Sequence, residues 1–379
     1  MKHKTTLFFL ILVLAICLRL PHLDERPEGI DEGNSIMLAK FIESSYSLTY
    51  PYVPLPNEKT PPLFFHIVAI PLFIHDSITS MRVLMVLIGI LSIIVFYLLA
   101  RKLFDEEFAI FSMFLYAINP MHIIYSQHIR AYILLTLLFP LSLYFLYKFL
   151  LERNSRSLIY LTIIYIISFY CHYFAMLYII GGAVTVLIFY FINKNIKLSH
   201  YFLSILMLAI LIIPGLLLAI QQFVEYKVMG ADWVIMPLLT PSIVPYPLWK
   251  FSVMADVSTT LSSFPYLVLL FPLLLGLAAY GAFLLYKENK TKFLFILSNL
   301  SVPYILYVAA GFLFPVFSFR YITFLLPLYV MLFSYGLFKI KNKMLKLILL
   351  FILIAGWCIV IAFFYSIMNL EDWGFYIAV

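Results

Sequence analysis

The sequence predicts an all-α polytopic membrane protein, and three observations carry that prediction. Hydrophobic residues make up 64% of the 379 positions and charged residues 11%, where soluble domains carry about 25% charged residues. Apolar runs near 20 residues recur along the chain, each long enough at ~1.5 Å per residue to cross roughly 30 Å of hydrocarbon. Basic residues collect on alternate short loops. A backbone in lipid has no water to satisfy it, so such runs must be helical.

Taken in order, membrane helices are expected near 5–20, 80–100, 106–119, 131–151, 157–170, 173–192, 200–221, 264–286, 292–312, 321–338 and 345–366, within a single domain spanning 1–379. Lys2 and Lys4 before the first run resemble a secretory signal, but Arg19 stands where a small-residue cleavage site belongs, so the run reads as an uncleaved first helix. Pro61 to Ile74 is too short to span and reads as an interfacial or re-entrant helix. Sixteen of the 25 basic residues, from Lys2 and Lys4 through Arg101 and Lys102 to Lys343 and Lys346, fall on one side. That side is expected to be cytoplasmic, which makes this a multi-pass cell-membrane protein with a cytoplasmic N-terminus. The other side holds nine basic residues against 13 of the 18 acidic ones. The +7 charge is therefore a topology signal and requires no nucleic-acid partner. Cys17, Cys171 and Cys358 lie in or beside apolar spans without disulfide or metal-ligand spacing, as small packing residues do. Both long connections, 21–79 and 222–263, are external, and long loops in compact proteins tend to be functional. The chain ends soon after the eleventh helix, so no soluble acceptor-binding domain is expected.

Polar residues that stand out in so apolar a chain cluster at that external face. Asp31 and Glu32 precede an apolar-periodic run from Ile36, which suits a capping pair at a helix N-terminus or a carboxylate that deprotonates an acceptor hydroxyl. Paired carboxylates would also suit a divalent metal. The segment from Asn119 to Tyr132 packs His122, Tyr125, Gln127, His128 and Arg130 into a few residues. A continuous helix there would put His122, Tyr125 and Ile129 on one face and Gln127 and Arg130 on another. His172 lies in the tight turn Tyr170-Cys171-His172-Tyr173, and Arg320 and Tyr321 open the tenth span. Arginine at such a mouth can grip a phosphate with a bidentate fork. Lys59 and Arg82 are two further external cations.

These motifs, in this order, resemble the family 39-type glycosyltransferases, the protein-mannosyltransferase-like branch of the GT-C superfamily, over roughly residues 7–340. Arg19 followed by an Asp-Glu pair is similar to the family's first-loop signature. Pro61-Pro62-Leu63 looks like its juxtamembrane motif, and Arg82 through Arg101-Lys102-Leu103-Phe104 like its second helix. Tyr125-Ser126-Gln127-His128-Ile129-Arg130-Ala131-Tyr132 resembles its Tyr-Ser-Gln-Glu-x-Arg-x-Tyr segment, with His128 in place of glutamate. His172-Tyr173, Trp233 to Ser242, and Arg320-Tyr321 to Pro327 look like later family motifs.

The resemblance implies a GT-C-like bundle of about eleven transmembrane helices with two long external loops. It also implies transfer of a hexose or pentose from a polyprenyl-phosphate sugar, with inversion, to a protein, lipid or glycan acceptor outside the cytoplasm. Asp31 becomes the expected base with Glu32 beside it, while Arg130, Arg320 and Lys59 are expected on the phosphate. Arg82, His122, Tyr125, Gln127, His128, His172 and Tyr321 are expected around the donor. The alternatives are a lipid-linked sugar flippase, which would need midplane charges and inverted repeats, and a non-catalytic scaffold that binds lipid carriers.

Overall fold

A computed structural model describes residues 2–45, 60–192, 198–228, 244–254, 260, 263–313 and 318–366. These residues are helical almost throughout. A helix forms at each of the eleven anticipated positions: α1 (Lys2–Cys17), α4 (Ile78–Leu103), α5 (Glu106–Ala117), α7 (Tyr132–Leu150), α8 (Ser157–Cys171), α9 (Ala175–Ile192), α10 (Leu198–Val228), α12 (Leu270–Glu288), α13 (Lys290–Leu313), α14 (Leu326–Phe338) and α15 (Lys343–Ser366). Eight are long and apolar enough to cross a membrane, α14 together with the 3-10 turn Phe319–Leu325 that leads into it. The protein is a multi-pass membrane protein. A count of eleven crossings is not confirmed: among the described residues α1, α5 and α8 have only 16, 12 and 15 residues. For α5 the cause is local. The Asp105 carboxylate accepts the Phe108 N–H at 2.8 Å to start it, and Asn119-Pro120 begins a new helix two residues after it ends.

Among the described residues the further α-helices are α2 (Ile30–Ser45), α3 (Leu63–Ala69, continued by the 3-10 turn Ile70–Phe73), α6 (Pro120–Tyr125) and α11 (Tyr246–Val253). The interfacial helix anticipated over Pro61–Ile74 is α3 with its 3-10 extension, and it packs on α2.

Burial separates the centre of the bundle from its rim. Most residues of Phe319–Phe338 are buried and few of Leu198–Gln222 are. Phe202, Leu203, Ile210 and Leu217 on α10 are exposed, as expected of side chains facing lipid. Two helices approach closely at the centre. Gly281 of α12 and Gly336 of α14 meet there, and a Cβ on either would strike the main chain of the other helix. Small residues let membrane helices cross at this range. A second glycine matters for the site: a Cβ at Gly89 of α4 would collide with Ser126, so α4 leaves room for the turn after α6.

Candidate active site

Four inter-helix segments meet beside the N-terminus of α2, whose first turn carries Asp31 and Glu32. Unpaired N–H groups there favour negative charge, yet the two carboxylates enter different surroundings. Glu32 is 1% exposed. Arg26 Nη2 donates to both its oxygens, at 3.0 and 2.9 Å. Arg82, in the first turns of α4, donates through Nε at 3.1 Å and Nη2 at 3.2 Å. The Ile129 N–H adds a bond at 3.2 Å. Arg82 Nη1 also holds the carbonyls of Leu23 and Arg26, at 2.7 and 2.9 Å. Burial by itself would push the Glu32 carboxyl up; the Arg26 and Arg82 guanidinium groups outweigh it and hold the group at about 2, below its ordinary 4.5. The Glu32 knot thus joins the first loop, α4 and the turn before α7.

Asp31 keeps about a third of its side chain exposed, and its Oδ2 accepts from Arg320 Nη1 at 2.6 Å. Arg130 Nη1 donates to the Asp31 carbonyl at 2.9 Å and to Ser35 Oγ at 3.1 Å. Burial raises the Asp31 pKa, but Arg130 and Arg320 overcome it and leave the carboxyl below its ordinary value. The contacts continue around a closed circuit. The Arg130 guanidinium lies 5.8 Å over the Tyr132 ring. Tyr132 stands 5.5 Å from His172, and His172 stands 5.6 Å from Tyr321. Tyr321 follows Arg320, which returns to Asp31. Phe174 stacks on Tyr321 at 4.4 Å, and Arg320 Nε is aimed by Ser318 Oγ at 3.0 Å.

Beneath this circuit lies a wholly buried arginine, Arg19. It donates to Ser126 Oγ at 3.1 Å, to the carbonyls of Ala15 and Ala117 at 2.9 Å each, and to His122 Nδ1 at 2.7 Å. Because arginine only donates, His122 Nδ1 accepts and its Nε2–H donates to Ser92 Oγ at 2.9 Å. Burial, with Arg19 adding to it, drives His122 well below its ordinary pKa. Both imidazole nitrogens are therefore engaged inside the protein.

The continuous helix considered over 119–132 does not form. Asn119 caps α6, its Oδ1 accepting the His122 N–H at 3.2 Å, and α6 ends at Tyr125. The next residues turn sharply, with the Arg130 N–H on the His128 carbonyl at 2.8 Å. Gln127 and Arg130 consequently go to different places. The Gln127 amide nitrogen donates to the carbonyls of Arg19 and Pro21, at 2.9 and 3.1 Å, and to the Tyr365 hydroxyl at 3.2 Å.

His128 is buried beside the Glu32 knot. Burial first, then Arg26, drives it well below the usual imidazole range. Tyr125 packs its ring 5.5 Å from Tyr132 and 6.0 Å from His128. Lys59 lies outside the described residues. The sequence reading did not nominate Arg26 or Lys250. Lys250 in α11 is 1% exposed, with its ammonium 5.0 Å over the Phe319 ring, next to Arg320. A lone cation inside the aromatic stretch Tyr246–Phe251 was its only signal. Among the described residues no three His, Cys, Asp or Glu side chains gather to hold a metal. Each site carboxylate already faces two arginines, so a divalent cation does not fit this donor set.

A sequence profile described as dolichyl-phosphate-mannose-protein mannosyltransferase matches residues 59–217. No curated protein sequence matches the chain. The apo structure of ArnT from Cupriavidus metallidurans superimposes with a TM-score of 0.64 at 15% identity, covering 91% of this chain and 62% of that one. ArnT bound to undecaprenyl phosphate gives 0.60 at 14% identity with the same coverage. The Archaeoglobus fulgidus oligosaccharyltransferase in complex with Zn and sulfate gives 0.61 at 15%, covering 94% of this chain and 53% of that one. The chain has a GT-C fold. It spans less than two thirds of the length of these GT-C structures. On this GT-C scaffold the profile covers α3 into α10 and includes Arg130 and His172, while Asp31 lies before the match and Arg320 after it.

Proposed function

We propose that this protein is a membrane glycosyltransferase. It moves a hexose or pentose from a polyprenyl-phosphate donor to an acceptor hydroxyl or amide at the extracytoplasmic face, with inversion at the anomeric carbon. The observation that carries the reading is the Asp31 carboxylate held by Arg320 beside Arg130, in a cluster where four guanidinium groups face two carboxylates. With His128 and His172 uncharged, that surplus of positive charge suits an anionic ligand. The profile's dolichyl-phosphate-mannose description and the undecaprenyl phosphate bound to ArnT support a lipid phosphate as that anion.

In the proposed reaction the acceptor passes its proton to Asp31 and its nucleophilic atom bonds to the anomeric carbon. The bond from that carbon to the phosphate oxygen breaks, and the electron pair leaves with the lipid phosphate. Arg130 and Arg320 stabilise the departing charge in a weakly solvated site. Arg320 serves both ends of the reaction. A donor phosphate drawing on its guanidinium loosens its hold on Asp31 and makes that carboxylate a stronger base. The base is then most basic only when donor is present. Lys59 is assigned to the same phosphate. Glu32, Arg82, His122 and Gln127, whose polar atoms are engaged by the protein itself, are assigned to the frame that fixes Asp31 and Arg130.

Purified protein incubated with radiolabelled polyprenyl-phosphate sugars and candidate acceptors tests the reading. Label transferred to acceptor is the expected result. Movement of the lipid-linked sugar across a vesicle without bond formation would replace the enzyme with a flippase, and binding without turnover would replace it with a scaffold.

A further inference from the structure

The circuit around Asp31 contains one imidazole that the proposed chemistry does not use. His172 is 4% exposed, and its ring forms a triangle with those of Tyr132 and Tyr321, 5.5 and 5.6 Å away, which are themselves 6.3 Å apart. Its orientation is fixed from behind. The Phe174 N–H donates to Nδ1 at 3.2 Å, so in the neutral ring the hydrogen sits on Nε2. Nε2 is buried and has no hydrogen-bond partner among the described residues. An unmet buried donor is costly, and proteins rarely leave one without a reason. The surroundings keep the ring uncharged: burial, then Arg130 and Arg320, hold its pKa at about 3. A neutral donor among aromatic faces is poorly suited to a phosphate, which the two arginines serve better. It suits a sugar, whose C–H face packs on aromatic rings while its hydroxyls require directed hydrogen bonds.

We infer that His172, with Tyr132 and Tyr321, forms the subsite for the transferred sugar, and that its Nε2–H donates to one sugar hydroxyl and so helps set which sugar is accepted. The inference rests on the glycosyltransferase reading. It adds a division of labour: the arginines hold the phosphate while His172 reads the sugar.

The test measures kcat/KM for wild type, His172→Phe and His172→Gln. Each is assayed with the polyprenyl-phosphate sugar that wild type transfers and with the set of donors lacking one hydroxyl each. A site built to hydrogen-bond a hydroxyl rejects the analogue that lacks it. One deoxy donor is expected to cost wild type at least ~10-fold, and to cost His172→Phe less than about threefold because the partner donor is already gone. His172→Gln, whose amide nitrogen reaches as far as Nε2, is expected to regain part of the discrimination. Equal penalties in wild type and His172→Phe, or the absence of any sensitive hydroxyl in wild type, would overturn the assignment. Should His172→Phe fail to fold, the His172→Gln comparison and the wild-type deoxy series decide between the same outcomes. Failure of wild type to transfer any lipid-phosphate sugar would instead overturn the enzyme reading, and this inference with it.

Discussion

Asp31 and Glu32 are consecutive residues in one helical turn, each facing two arginines, yet they sit in different kinds of place. Glu32 is enclosed, with both oxygens bonded by arginine side chains and a main-chain N–H. Asp31 remains partly open, and Oδ2 takes the Arg320 guanidinium from 289 positions away. The first arrangement fixes loops relative to one another; the second leaves a carboxylate able to meet a substrate. Residue type and helix position are shared, so the difference comes from the segments packed on either side of the turn.

Exchanging the two roles is the strongest way to break that comparison. Asp31→Asn is expected to lower kcat by roughly 10²–10⁴-fold, the range for a lost general base, with the unfolding temperature in detergent unchanged. A matching loss of stability would show Asp31 to be structural as well. Glu32→Gln is expected to behave in the opposite sense, losing on the order of 3–5 kcal/mol of stability because Arg26 and Arg82 would be left facing a neutral amide; unfolding by denaturant measures it. An unfolding midpoint equal to wild type would remove the knot from the account of the fold. Arg320→Ala is expected to weaken donor binding by about 10–100-fold, the worth of a hydrogen bond to a charged group. It should also let the Asp31 carboxyl rise toward its ordinary pKa, seen as an acid limb in the pH profile of kcat/KM. The mildest test is pH alone. Because Glu32 is held at about 2 against an ordinary 4.5, its stabilising contribution is full above about 4.5 and fades as pH falls through 2. Unfolding temperature should therefore stay level from about pH 7 to 5 and drop below that range. Glu32→Gln should show a shallower fall.

The helices were largely legible because hydrophobic length and periodicity are local properties, and so was the start of α2 at the acidic pair. Long-range convergence was not. Arg130 meets Asp31 across 99 residues and Arg320 meets it across 289, and no spacing rule reports such distances. The split between Asp31 and Glu32 was equally hidden, since it depends on Arg26 and Arg82 arriving from a loop and another helix. The segment after α6 departed from the helical possibility because Asn119 begins a short helix and the residues beyond Tyr125 find partners outside it. Gln127 bonds to first-loop carbonyls and Arg130 to α2. Arg26 and Lys250 escaped notice because a single cation, in a loop or in a short helix, has no sequence pattern of its own.

Tyr365 ties the last described helix to the first. Its hydroxyl donates to the carbonyl of Leu18, 347 positions away, and accepts from the Gln127 amide. Arg320, too, meets Asp31 only after the 289 residues that separate them have been made. The early segments are therefore made before the partners of the Leu18 carbonyl and the Asp31 carboxylate exist, and these contacts form only once the later helices have been added.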